Sequence, residues 1–83
     1  MEKRLGFVGI IIGDRKKTAS VINQILSEFS EIIVSRSGLP YKQRNCSVII
    51  LIVDADTDEV GALTGKLGKL EKVTVKSALS KII

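Results

Sequence analysis

Few side chains in this sequence could carry chemistry, and their identities exclude more than they offer. There is no histidine, and Cys46 is the only cysteine. An internal disulfide is therefore impossible. One thiol without an imidazole cannot assemble a zinc, nickel or iron–sulfur centre of the usual kind, so no metal and no cofactor is expected. Cys46 lies inside an apolar run and reads as a small core hydrophobe. Ser35, Ser37 and Ser47 have no base in view to activate a hydroxyl, so no catalytic residue is assigned. Two local patterns have the outline of ligand loops and fail on spacing. In Gly61-Ala62-Leu63-Thr64-Gly65-Lys66 the glycines stand one residue too close for a phosphate loop, and Leu67 replaces the hydroxyl residue. Asp54-x-Asp56-x-Asp58 starts like a calcium loop, but Glu59 stands at the turn glycine and Gly65 at the final acid.

One polar constellation remains, Arg36-Ser37-Gly38-Leu39-Pro40. It has two readings. Arg36 is a solvated residue at a strand end before a turn, or it is an arginine at an interface whose fork meets an anion or carboxylate. Gly13-Asp14-Arg15 follows the first apolar run, where an acyl-phosphate hydrolase of similar topology would hold its phosphate loop. The tripeptide is better read as a helix start.

The elements that must position these residues follow from hydrophobic periodicity. Asn45 to Asp54 holds an apolar run, Cys46 and Val48 to Val53, that is rich in β-branched residues and does not alternate with polar ones. Both faces of this strand should therefore be dry, with Cys46, Val48, Ile50 and Ile52 on one and Ile49, Leu51 and Val53 on the other. Leu5 to Ile12 predicts a second strand of the same kind, in which Gly9 marks a close approach or a bend. Asp14 is the expected N-cap of a helix running from Arg15 to about Phe29, with Val21, Ile22, Ile25, Leu26 and Phe29 as its apolar stripe. Glu31 to Gly38 predicts an edge strand, and Pro40 is expected to end its pairing in a loop that reaches Arg44.

Asp56 with Glu59 approximates a capping box for a second helix whose stripe is Val60, Leu63, Leu67 and Leu70. Gly61, Gly65 and Gly68 each cost a helix about 1 kcal/mol relative to alanine, so close packing against a neighbour is expected there. Val73 to Ala78 alternates as a half-exposed edge strand should. Strand, helix, strand, strand, helix, strand is the ferredoxin-like α+β order, βαββαβ, with a four-stranded antiparallel sheet. Right-handed crossovers place the two dry strands centrally. Two helices cover only one face of such a sheet, so an apolar face is left open, and self-association through that face or an edge is expected.

Composition agrees with a single domain over residues 1–83. Hydrophobic content is 45%, and the net charge of +4 permits a nucleic-acid or acidic partner without requiring one. A chain of this length buries only about 60% of its unfolded surface, so oligomerisation would help its stability. Met1-Glu2-Lys3-Arg4 precedes an apolar stretch, but Gly6, Gly9 and the charged run from Asp14 to Lys17 fit a strand of the mature fold better than a signal peptide. No run approaches a membrane span, and a cytoplasmic location is expected.

Arg36 to Pro40, the block Gly61 to Gly68 and the closing Val73-Thr74-Val75-Lys76 together resemble a family of small proteins named as regulators of the iron-only hydrogenase system. The resemblance covers nearly the whole chain, and the glycine-rich block is its most specific part. It implies an ACT-like fold, or one like the C-terminal domain of nickel regulators, oligomeric and without an attached DNA-binding domain. Nickel regulators bind metal through histidine and cysteine, a set absent from this chain, so that activity is not carried over. ACT domains bind amino acids near the first strand–helix turn at a subunit interface, and by fold analogy Gly13 and Asp14 are the matching positions. The expected protein is a non-enzymatic regulatory module working as a homodimer or homotetramer. It would bind a small molecule such as an amino acid, or a protein partner, through Gly13, Asp14, Arg36, Gly38 and Pro40. The rival is a nucleic-acid-binding ferredoxin-like domain using its basic surface. The scarcity of aromatics for base stacking argues against it.

Overall fold

The computed structural model describes residues 2–82, and Met1, Ile83 and the side chain of Arg15 lie outside what is described. The elements are β1 (Arg4–Ile12), α1 (Arg15–Glu28), β2 (Ile33–Tyr41), β3 (Cys46–Ala55), α2 (Thr57–Gly68) and β4 (Val73–Leu79), with one 3-10 turn over Lys42–Arg44. The sheet is antiparallel throughout, in the order β2-β3-β1-β4. The two strands without polar alternation are thus the central pair, as their composition requires.

Pairing of Val8 with Leu51 and Ile10 with Ile49 points these four residues at the helices. With Val53, Ile22, Leu63 and Leu67 they form a core that contains no buried polar or charged side chain among the described residues. Each such aliphatic side chain contributes about 1.5–3 kcal/mol by leaving water. The alternate residues face the other way. Leu5, Phe7 and Ile11 of β1, Ile50 and Ile52 of β3, and Leu39 and Tyr41 of β2 are exposed on the side without helices. Asp54 and Lys76 are the charged residues that the register places on that side.

The second helix begins as its sequence demands. Glu59 N–H donates to Asp56 Oδ1 at 2.8 Å, and Asp56 N–H donates to Glu59 Oε1 at 3.0 Å. This reciprocal pair satisfies two of the N–H groups that a helix start leaves open. The first helix differs from expectation. Asp14 occupies the N-cap position, but its side chain makes no capping hydrogen bond. Its carbonyl instead accepts from the N–H and the hydroxyl of Thr18, at 3.3 and 2.8 Å. The residue three beyond Asp14 is Lys17, so no acid is available to reach back.

Three further expectations are corrected. Pro40 does not end the second strand: it pairs with Ser47, and Tyr41 pairs with Cys46. An edge strand accommodates proline because one of its sides makes no ladder bonds. The hairpin then closes over Lys42–Arg44, with Asn45 taking the left-handed conformation at φ 50° that asparagine tolerates. Gly61, Gly65 and Gly68 are not packed against anything, since a Cβ added at any of them would meet nothing within 4 Å. Close approach occurs instead at Gly6, where a Cβ would collide with the Ala78 carbonyl and lie 2.6 Å from Leu79 Cδ2. Gly9 sits in regular pairing between Ile50 and Lys76, with room for a Cβ in ordinary contact. Finally, β2 carries a bulge: Ile33 pairs with Val53 and Ser35 with Ile52, so Val34 is an extra residue.

Candidate functional site: a cleft between the first helix and the edge strand

Beyond the bulge, Arg36, Gly38 and Pro40 stand opposite Leu51, Ile49 and Ser47. Residues opposite one another share a face, so all three point to the helix side of the sheet. Gly38 presents no side chain there, and a Cβ added to it would reach only Ile49 Cγ1, at 3.9 Å. The facing turns of α1 present Ala19, Ile22 and Asn23. Because neither Gly38 nor Ala19 fills the gap, a cleft of about 280 Å³ opens between strand and helix. Ile12, Ile22 and Ile49 form its apolar floor, and Ser47, Pro40, Leu39 and Val48 complete the lining.

The polar end of the cleft is built across the two elements. Arg36 Nη2 donates to Asn23 Oδ1 at 2.7 Å. The ion pairs among the described residues, Lys3 with Glu59 and Lys66 with Glu28, do not involve Arg36. A guanidinium held by one amide oxygen and lacking a carboxylate partner keeps most of its donors for something else. No nucleophile–base pair lines the cleft among the described residues. Its groups can hold and orient a molecule.

The five residues singled out by the sequence fall into two places. Arg36, Gly38 and Pro40 line the cleft together. Gly13 and Asp14 lie at the turn between β1 and α1, against the connection from α2 to β4. Gly13 N–H donates to the Lys72 carbonyl at 2.8 Å, and a Cβ at Gly13 would sit 3.2 Å from Lys72 Cβ. Lys72 itself has φ of 60°. Asp14 lines a separate hollow of about 250 Å³ with Lys17, Thr18, Glu71 and Lys72. Sequence reasoning missed Asn23, Ala19 and Ser47. Only the spatial register of α1 against β2 reveals Asn23 and Ala19, and only the pairing with Pro40 reveals Ser47; nothing local in the sequence carries either.

Other chemistries find less support. Among the described residues, no group of three His, Cys, Asp or Glu side chains could hold a metal ion. Phe7 and Tyr41 are both exposed on the open sheet face, but they lie in rows opposite Ile52 and Cys46. Six rows of strand separate them by roughly 20 Å, too far to stack neighbouring bases.

A family model described as "TM1266-like: Iron-only hydrogenase system regulator, putative" matches residues 4–77. The chain belongs to this family. The solved structure of TM1266 from Thermotoga maritima, described as an uncharacterized protein, is 40% identical to this TM1266-like chain and superposes with a TM-score of 0.91. That match covers 96% of this chain and 100% of the other. The ACT domain from GTP pyrophosphokinase of Chlorobium tepidum superposes with a TM-score of 0.76 at 23% identity, over 92% of this chain and 99% of that domain. SnoaB, a cofactor-independent oxygenase from Streptomyces nogalater, superposes with a TM-score of 0.58 at 18% identity, over 98% and 94% of the two chains. At such identities the last two likenesses establish the fold alone, which is ACT-like. No curated protein matches the sequence. Among the described residues no helix is long and apolar enough to cross a membrane.

Proposed function

We propose that this TM1266-like chain is a non-enzymatic regulatory module of the iron-only hydrogenase system, acting in the cytoplasm as a homodimer or homotetramer. It holds a small ligand in the cleft at Arg36, Gly38 and Pro40 and passes the ligand's presence on through its assembly. The observation that carries assembly is the sheet face without helices. Phe7 is 51% exposed, Ile11 49%, Ile50 42% and Ile52 40%, in adjoining positions of the two central strands. Those same strands bury Val8, Ile10 and Leu51 completely on the other side. Four strands about 4.8 Å apart give this face a plan area of roughly 500 Å², at the upper end of what a monomer leaves apolar. A second copy is the self-complementary cover for it, because the face carries few charges to oppose one another.

Light scattering over a dilution series tests assembly directly. The native chain should hold a dimer or tetramer mass down to low micromolar concentration. Ile50→Lys, which places a charge at the centre of the open face, should shift the mass to a monomer without changing the far-ultraviolet circular dichroism. A native chain that is monomeric at every concentration would overturn the reading.

A further inference from the structure

We infer that the cleft between α1 and β2 is a site for a short aliphatic monocarboxylate and that it discriminates against the corresponding amino acid. This deepens the reading of the cleft as the sensing site and rests on it. The first argument is charge. Among the described residues, the lining contains one cation, Arg36, and no acidic residue. A second argument is the direction of the hydrogen bonds. Asn23 uses its side-chain oxygen to accept from Arg36, which leaves its amide N–H groups as further donors beside the guanidinium. An ammonium group would stand beside the Arg36 guanidinium with no carboxylate among the described lining residues to balance it. Guanidinium and amide together suit the two oxygens of a carboxylate, and the one positive charge balances a monoanion.

The remainder of the cleft sets the body of the ligand. Ile12, Ile22 and Ile49 are almost fully buried at its floor. Their exposed edges are covered by methylene groups better than by polar ones. At about 30 Å³ for each water-sized group, 280 Å³ holds roughly nine non-hydrogen atoms, the size of a six- or seven-carbon acid. Each methylene that reaches the floor should tighten binding about threefold to fourfold until the cleft is full.

Titration of the full-length, nitrogen-15-labelled chain with sodium hexanoate, followed by amide chemical shifts, tests this. The expected result is a saturable shift confined to residues 19–23, 36–40 and 47–49, with butyrate binding about tenfold more weakly. Norleucine, which adds only an ammonium to the same chain, should bind at least tenfold more weakly than hexanoate, and hexylamine should leave the cleft unshifted. Arg36→Gln should weaken hexanoate about tenfold. Gly38→Val should abolish binding by filling the space above Ile49, on an edge strand where valine is favourable. Norleucine or hexylamine shifting the cleft as strongly as hexanoate would overturn the ligand class and leave the sensing cleft standing. Shifts that appear only on the open sheet face or around Gly13 and Asp14, or no saturable shift with any probe, would overturn the cleft and the ligand class together.

Discussion

The fold repeats one unit, a strand, a helix and a strand, and the two copies are finished differently. In the second, α2 begins with a reciprocal capping pair, carries Asp58 and Glu59 in its first turn and has Lys66 in its last. Its charges therefore favour the helix dipole at both ends. In the first, α1 begins without a side-chain cap, has no acid in its first turn and no base in its last. Lys16 and Lys17 stand at its positive end and Glu28 at its negative end, so its charges oppose the dipole. Both helices bury an apolar stripe, Ile22, Ile25 and Leu26 on α1 and Val60, Leu63 and Leu67 on α2, but α1 leaves the outer strand beside it uncovered over the cleft. The lesson is one of local specification: one helix start is fixed by its own side chains, and the half whose helix start lacks that support carries the cleft proposed as the ligand site.

That contrast can be broken most sharply in the core. Leu63→Ala in α2 should cost about 2–5 kcal/mol in urea denaturation, because a fully buried side chain leaves a cavity. The two helix starts give the next test. Asp56→Ala should cost about 1 kcal/mol, since it removes one side of the capping pair, while Asp14→Ala should change stability by no more than a few tenths of a kcal/mol. Equal costs at the two positions would erase the distinction between the halves. The smallest effect runs in the opposite direction. Gly65→Ala should raise stability by about 0.4–1 kcal/mol, because the position is exposed and helical and an added methyl meets nothing. A loss at this position would mean that the glycine face of α2 is covered in solution.

Much of this was legible in the sequence, for reasons that vary by residue. The central strands announced themselves because both of their faces are apolar, and the strand order followed from that. The capping box was legible because Asp56 and Glu59 are three residues apart and need no distant partner. Asp14 looked equivalent, but Lys17 in place of an acid removes half of the device, and the remaining oxygen goes unused. Pro40 was misread because proline stops a strand only where its N–H would have been needed, and which side of a strand faces solvent is a property of the sheet. The glycines of α2 were misread because helical propensity records their cost and not its cause. At the cleft, Arg36, Gly38 and Pro40 could be picked out as an unusual run. Asn23 could not, because its role depends on α1 lying over β2, which no local pattern states.

The bulge at Val34 settles which face each later residue of β2 takes. A strand is a sequence of alternating sides, and one inserted residue changes odd positions into even ones for everything that follows. Counted straight on from the Ile33–Val53 pair, Arg36 would fall opposite Ile50 and Gly38 opposite Val48, on the oily face. The bulge acts as a parity correction: by leaving Val34 unpaired it keeps the arginine toward the helices and the serines on the sheet's bare side. Removing Val34 would leave Ser35 to follow Ile33 directly, opposite Ile52, with Arg36 still opposite Leu51, so cleft and open face should both survive its loss. A further residue inserted beside it, without a second bulge, would instead put the arginine in the middle of the surface proposed for self-assembly.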